Sequence, residues 1–369
     1  MTKEAPPKPG QHLFALDAMR GMAAILVVCL HEFQAFAGVP HPFSGYLAVD
    51  LFFLLSGFVI ASAYDQRLAA GMSVAQFIKV RLIRLYPLYL VGLLIGLSRM
   101  LVQFQIGANP PPADWFILSS LMELVMLPSP MTVQWQHDTL FFLNPPAWSL
   151  FFELLVNVLF AMTYRHLTQK VLLLLLALSG GCLVYVVSQQ GSLEIGNYWH
   201  TVVWSAPRVL FPFLLGVWLH RHGPTLPQIP GGWAWLLTMA VVPLLMWHPA
   251  GYQEAYDLTM VLLIFPILVL LGASMRTQGI TTWSCKKAGD LSYALYIVHM
   301  PLFGLMLAVF KRVAPDWPHE IYAGPVCILL VSAFCLALDR YYDKPVRRWL
   351  TNTLGAKPAL PAAAATVKP

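Results

Sequence analysis

Long apolar runs separated by short polar loops make up most of this chain. Runs of about 17–25 apolar residues predict membrane-spanning helices, and they fall at 14–37, 46–64, 82–104, 147–164, 171–188, 201–219, 232–248, 257–275, 290–310 and 321–341. A further run, 115–128, is short and holds Glu123. Charge indicates whether it crosses. Loop 65–84 carries Arg67, Lys79, Arg81 and Arg84, and loop 165–170 carries Arg165 and Lys170. The positive-inside rule puts both on the cytoplasmic side, so an even number of crossings must separate them. Spans 82–104 and 147–164 already supply two, so 115–128 is predicted to be re-entrant or interfacial.

The expected fold class is therefore all-α, a polytopic membrane protein of ten transmembrane helices with both termini cytoplasmic. On this topology eighteen of the 23 lysines and arginines lie on the inner side, while Lys311 and Arg312 run against the bias. Residues 1–350 are expected to form a single membrane domain, and 351–369 a disordered cytoplasmic tail rich in Ala and Pro. Ala35-Phe36-Ala37 has the look of a signal-peptidase site. The run before it holds Arg20 and is long enough to span, so a retained helix is expected.

Composition narrows the function classes. Of the 369 residues, 58% are hydrophobic and 11% charged, against about 25% charged in soluble domains. The net charge of +6 sits in short loops and reads as topology; no basic patch with interleaved aromatics points to nucleic acid. Five cysteines without CxxC spacing disfavour a disulfide framework and a metal site. The outer connections are 105–146, 189–200, 249–256 and 311–320. The first, with Asn109-Pro-Pro-Pro and Trp135-Gln-His-Asp, suits carbohydrate stacking or an interfacial aromatic belt. No internal repeat is evident, which disfavours an inverted-repeat transporter.

Two ionisable residues lie within the first span. Arg20 and His31 are eleven residues apart, roughly 1100° of helix and about 20° past three full turns. They share one face, about 16 Å apart along the axis. A cation in a span costs a few kcal/mol and normally faces protein or a watery cavity, so this stripe marks a candidate functional path. The competing reading is a snorkelling Arg20 and a His31 satisfied by a carbonyl. Asp50, near the outer start of the second span, can meet His31 and orient it as a general base for a hydroxyl, or simply cap its helix. Arg81 and Arg84, three apart at the inner start of the third span, suit a phosphorylated ligand or anionic headgroups.

Trp148, Ser149 and Glu153 open the fourth span. Ser149 and Glu153 share a face, Ser149 suits a cap after Pro145-Pro146, and Glu153 is expected to face a cavity. Arg208 lies within the sixth span, and Asp290, Ser292, Tyr293, Tyr296 and His299 line the ninth.

Together these runs resemble the acyltransferase-3 family of membrane O-acyltransferases that modify bacterial glycans. The matching pieces are Leu16-Asp-Ala-Met-Arg20-Gly with His31, and Val49-Asp50-Leu-Phe-Phe-Leu-Leu-Ser56-Gly57-Phe58. They continue with Arg81-Leu-Ile-Arg84-Leu-Tyr-Pro87, Trp148-Ser149-Leu-Phe-Phe-Glu153, Gly289-Asp-Leu-Ser292-Tyr293-Ala-Leu-Tyr-Ile-Val-His299, and Lys344-Pro345 with Arg347. The resemblance covers about residues 12–350. It implies transfer of an acyl group, acetyl or else succinyl, from cytosolic acyl-CoA to a hydroxyl at the far face of a bacterial inner membrane.

The acceptor would be a glycan or lipid-linked sugar, and a homodimer or an envelope-biosynthesis partner is compatible with it. Arg81 and Arg84 would receive the CoA phosphates, and Arg20 would line the route of the pantetheine arm. His31 would take the acceptor's proton with Asp50 orienting it. Arg20, Arg208 or a backbone N–H would stabilise the oxyanion, and Glu153 joins the catalytic candidates. Ser56, Trp148, Ser149, Tyr293 and His299 remain substrate or structural candidates. The rival reading is a proton-coupled transporter or flippase, for which intramembrane Arg20, His31 and Glu153 are equally suitable.

Overall fold

Membrane hydrocarbon offers no water to an open backbone, so a chain this apolar must close its hydrogen bonds within helices. The computed structural model describes residues 13–37, 43–105, 110–131, 138–313 and 319–355. It is helical almost throughout: α1 (Phe14–Ala37), α2 (Ala48–Ala69), α3 (Val74–Gln105), α4 (Ala113–Leu124), α5 (Ala147–Thr163), α6 (Gln169–Gln190), α7 (Val202–His222), α8 (Ala234–Met246), α9 (Gln253–Thr259), α10 (Phe265–Ala273), α11 (Gly279–Val313), α12 (His319–Leu338) and α13 (Lys344–Thr353). Among the described residues eight helical segments are long and apolar enough to cross a membrane, and α5 and the segment containing α8 are shorter apolar helices. A π-turn at Met260–Ile264 joins α9 to α10, and another at Asp339–Asp343 joins α12 to α13. Each ends two residues before a proline, Pro266 or Pro345, whose missing N–H breaks the regular ladder.

Pairings between helices set their directions. Asp50 meets Arg208, Gly57 abuts Phe213 and Asp65 meets Arg221, so α2 and α7 run parallel. Asp17 abuts Gly289, Arg20 bonds Ser292 and His31 bonds His299, so α1 and α11 are parallel. Leu85 pairs with Tyr293, Gly92 with Ile297 and Arg99 with Gly304, so α3 joins them in the same direction. Between α2 and α7 lie α3, α5 and α6, an odd number of crossings, as parallel partners require. A crossing by α4 would make that number even and the pair antiparallel. The segment 115–128 therefore does not cross.

Its path is a re-entrant hairpin. At 12 residues α4 is about 18 Å long. It runs antiparallel to α3, from Phe116 against Phe104 down to Glu123, whose carbonyl accepts from the Tyr89 hydroxyl. The chain turns there, with Met126 at φ 59°, and climbs until the Pro130 carbonyl accepts from the Trp115 indole 2.9 Å away. A second descent, 139–146, is irregular yet buried: Leu140, Phe141, Phe142, Leu143 and Asn144 are at most 2% exposed. It passes α3 where Gly92 and Gly96 leave room. A Cβ on Gly96 would stand 2.1 Å from the Leu143 carbonyl oxygen.

Irregular backbone at that depth survives only with every polar group satisfied by protein. Glu123, itself fully buried, satisfies three of the donors there. Its Oε1 accepts from the N–H groups of Phe142 (2.6 Å) and Leu143 (3.0 Å) and from the Ser129 hydroxyl (2.6 Å). Successive backbone N–H groups form an anion nest, here filled by a side chain of the same protein. As a result α5 does not start at the outer surface as the sequence suggested, but beside Ile297 near the middle of α11.

The helices also correct some boundaries. α3 begins at Val74 and α11 at Gly279, eight and eleven residues earlier than hydropathy placed them, because their first turns carry Lys79, Arg81, Lys286 and Lys287. Thr351 to Thr353 belong to α13, so the expected tail starts later; residues 356–369, like Asn109 and Trp135 to His137, lie outside the described residues.

Replacing Glu123 by Ala orphans three donors at about 1–2 kcal/mol each, a loss of about 3–6 kcal/mol. Thermal melting in detergent is expected to rank wild type above Glu123→Gln, which keeps one acceptor oxygen, and Glu123→Gln above Glu123→Ala. Equal melting of all three proteins would contradict the nest.

Candidate functional site

The shared face of Arg20 and His31 is the face α1 turns to α11. Two close glycine approaches allow it: Gly21 lies against Ala288 and Gly289 against Asp17, the close small-residue contact favoured between membrane helices. Arg20 donates from Nη2 to Asp17 Oδ1 (2.7 Å) and from Nε to Ser292 Oγ (3.1 Å). Asp17, an i,i+3 partner visible in the sequence, was not singled out there. Nearer the far end of α1, His31 Nδ1 lies 2.8 Å from His299 Nε2, with the rings stacked at a centroid distance of 5.0 Å. His31 is half-buried and His299 fully buried.

The expected His31–Asp50 pairing does not form. Asp50 is completely buried and faces Arg208, which donates from Nη2 to Oδ2 (2.8 Å) and from Nε to Oδ1 (3.1 Å). Arg208 also donates to the carbonyls of Tyr46 (2.9 Å) and Ile195, and lies 5.5 Å from the Trp148 ring. Four of its five N–H groups are thus engaged. The pair ties α2, α7 and the 193–196 loop together, which corrects both readings: Asp50 is not the orienter of His31, and Arg208 is not poised for an oxyanion. Nor does Asp50 cap its helix through its side chain.

Arg81 and Arg84 also part company. Arg84 is exposed, but Arg81 is buried and donates from Nη2 to Glu153 Oε1 at 2.8 Å. Ser56 donates to the same oxygen at 3.0 Å. The inner-mouth fork is therefore corrected to one buried and one open arginine. Arg81 Nε, also buried, has no hydrogen-bond partner among the described residues. Arg84 lies within electrostatic range of both Arg20 and Arg81, and Glu153 acts on the same two arginines. An exposed Arg84 beside the two carboxylate-paired arginines Arg20 and Arg81 offers a guanidinium to an anion arriving there.

The remaining candidates bind helices together. Tyr293 donates to the Leu85 carbonyl at 2.6 Å, tying α11 to α3. Ser149 does not cap α5; it bonds back to the Pro146 carbonyl (3.2 Å) and shares a 2.7 Å hydrogen bond with the Tyr296 hydroxyl. Tyr296 lies one turn before His299, so a polar line runs along α11: Asp290 with Lys344, Ser292 with Arg20, Tyr296 with Ser149, and His299 with His31. The sequence showed Tyr296 and His299 on one helix, but nothing local announces a partner 268 residues away.

Removing one member of a buried ion pair typically costs about 3–5 kcal/mol. Asp50→Ala is therefore expected to lower the yield of folded protein and its melting temperature, with activity per folded molecule nearly unchanged. A folded, thermally normal Asp50→Ala protein with lost turnover would restore Asp50 to the catalytic group.

Comparison with known proteins places the chain in a family. An acyltransferase domain model matches residues 13–340. Protein 2 in the picA locus of Rhizobium radiobacter is 37% identical over 190 residues, covering 49% of this chain and 97% of that protein. The acyltransferase MdmB of Streptomyces mycarofaciens is 26% identical over 280 residues, 69% of this chain and 67% of its own. No solved structure matches the chain significantly. With the domain match spanning nearly the whole helical assembly and its polar line, the chain belongs to the acyltransferase-3 family and is a membrane O-acyltransferase.

Proposed function

We propose that the enzyme moves an acyl group, acetyl by preference, from cytosolic acyl-CoA to a hydroxyl of a glycan or lipid-linked sugar at the opposite face of a bacterial inner membrane. The observation that carries this reading is the polar line along α11, which joins a cluster of arginines near one face to a histidine pair near the other. Arg20 and His31 stand about 16 Å apart along α1, a distance suited to a long flexible arm between an anionic head and a reactive thioester.

Arg84, exposed, and Arg81, with an uncommitted buried Nε, have the donor chemistry to hold phosphates. Arg20, anchored by Asp17 and Ser292, would face the arm. His31 would accept the proton of the acceptor hydroxyl as that oxygen attacks the thioester carbon, and would return it to the departing sulfur. Glu153 acts here by holding Arg81 and Ser56 in place, rather than as a base. The distal face, with Tyr198 and His200 stacked at 5.4 Å and Tyr252 and Trp247 exposed, offers ring faces to a sugar. Both termini would then be cytoplasmic.

Acyl-CoA binding and thioester turnover by the purified protein in nanodiscs test the assignment. His31→Ala is expected to lower turnover by about 10²–10⁴-fold, the usual contribution of a general base, with acyl-CoA binding retained. Arg84→Ala is expected to weaken acyl-CoA binding about tenfold, for the loss of a charge-assisted contact of about 1.5 kcal/mol, with the fold unaffected. Equal loss of binding in both proteins would undo these roles, and absence of any acyl-CoA binding would shift the donor reading to transport.

A further inference from the structure

His299 is fully buried, so it cannot meet a substrate, yet it holds the ring that can. Tyr296 and Phe303 wall it in, with ring centroids at 6.3 and 6.0 Å. Its hydrogen bonds define its proton. The Leu295 carbonyl oxygen, 2.8 Å from His299 Nδ1, can only accept, so Nδ1 carries the hydrogen. A doubly protonated ring would bury a cation against a carbonyl, aromatic rings and another imidazole, at high desolvation cost. His299 is therefore neutral, and its Nε2 carries the lone pair. That nitrogen lies 2.8 Å from His31 Nδ1, so the hydrogen between them belongs to His31, and a His31 that acts as a base has its lone pair on Nε2.

The geometry points to His299 as a positioning residue that holds His31 in its Nδ1–H tautomer and so presents Nε2 as the proton-accepting nitrogen. The inference rests on the reading of His31 as the general base. With His31 ready to act as the base, the His31–His299 bond joins two neutral rings. As the acceptor oxygen forms its bond to the thioester carbon, its proton passes to His31 Nε2. The carbon–sulfur bond then breaks, and the sulfur leaves as a thiolate that takes the same proton back. While His31 holds that proton its Nδ1–H is a charged donor, and the bond to His299 Nε2 strengthens. An interaction stronger in the transition state than in the ground state lowers the barrier.

An imidazole backed by a carbonyl also differs from the carboxylate that orients many catalytic histidines. The imidazole itself brings no negative charge to His31. The required hydrogen bonds come entirely from α11 and α1, whose register is set by the glycine contacts at Gly21 and Gly289.

The tautomer can be read without turnover. Nitrogen-15 spectra of histidine-labelled protein in nanodiscs, with His31 assigned by difference against His31→Gln, are expected to show a protonated Nδ1 and a bare Nε2. In His299→Leu this preference is expected to disappear. The same substitution should lower kcat about ten- to a hundredfold, as loss of a ring nitrogen's second partner commonly does, with the KM for acyl-CoA unchanged. His299→Gln, whose amide oxygen can take the place of Nε2, should recover most of that loss. A protonated Nε2 on wild-type His31 overturns the proposal, even if His299→Leu fails to fold; so does full turnover in a folded His299→Leu protein. An active His31→Ala with the expected wild-type spectrum would instead overturn the base assignment, so the two failures are distinguishable.

Discussion

A carboxylate or guanidinium in the middle of a bilayer has no water to turn to, and neither does a peptide group outside a helix. This constraint organises the molecule. Arg208 and Asp50 face each other at 2.8 Å, with the surplus N–H groups of Arg208 capped by two backbone carbonyls. Glu123 closes the loose N–H groups of Phe142 and Leu143. Arg81 and Glu153 do the same between α3 and α5. Each pair joins segments far apart in the chain, so the polar groups that cost most to bury are also the groups that specify which helices meet.

Function grows from the places where this satisfaction is left incomplete or asymmetric. Arg208 is engaged nearly to capacity and serves structure. Arg81 keeps a buried Nε without a partner among the described residues, and Arg84 is open. The same contrast separates the two histidines. His299 is sealed between Tyr296, Phe303 and the Leu295 carbonyl, while His31 at its side keeps some exposure. The parallel arrangement of α1, α3 and α11 brings these unequal groups into one line from face to face. An antiparallel register of α1 on α11 would have set Arg20 beside His299 and separated the histidines.

Much of the fold was legible in the chain. Apolar length alone located the spans, and loop charge ruled out a crossing at 115–128, an inference the parallel pairs α2–α7 and α3–α11 bear out. Helical periodicity put Arg20 and His31 on one face, and that face meets α11 at Ser292 and His299. The ordered motifs located the family. These features depend on period, length and charge, which are properties of a single segment and its neighbours.

Partner choice was not legible, because it depends on which faces meet and at what depth. Asp50 looked like the companion of His31 since a short loop joins their helices, but α2 is rotated so that Asp50 meets α7. Arg81 looked like an open anion site, yet the buried start of α5 carries Glu153 to it. That buried start depends on the irregular descent of 139–146, whose stability rests on Glu123, a residue the sequence showed only as an oddity in a short apolar run. Sequence alone determined the helical, membrane-spanning class, the order of the apolar segments and the polar stripe on α1. Tertiary structure decided which polar group answers which, because in a low-dielectric interior each buried charge is held by whatever donor or acceptor packing brings within about 3 Å.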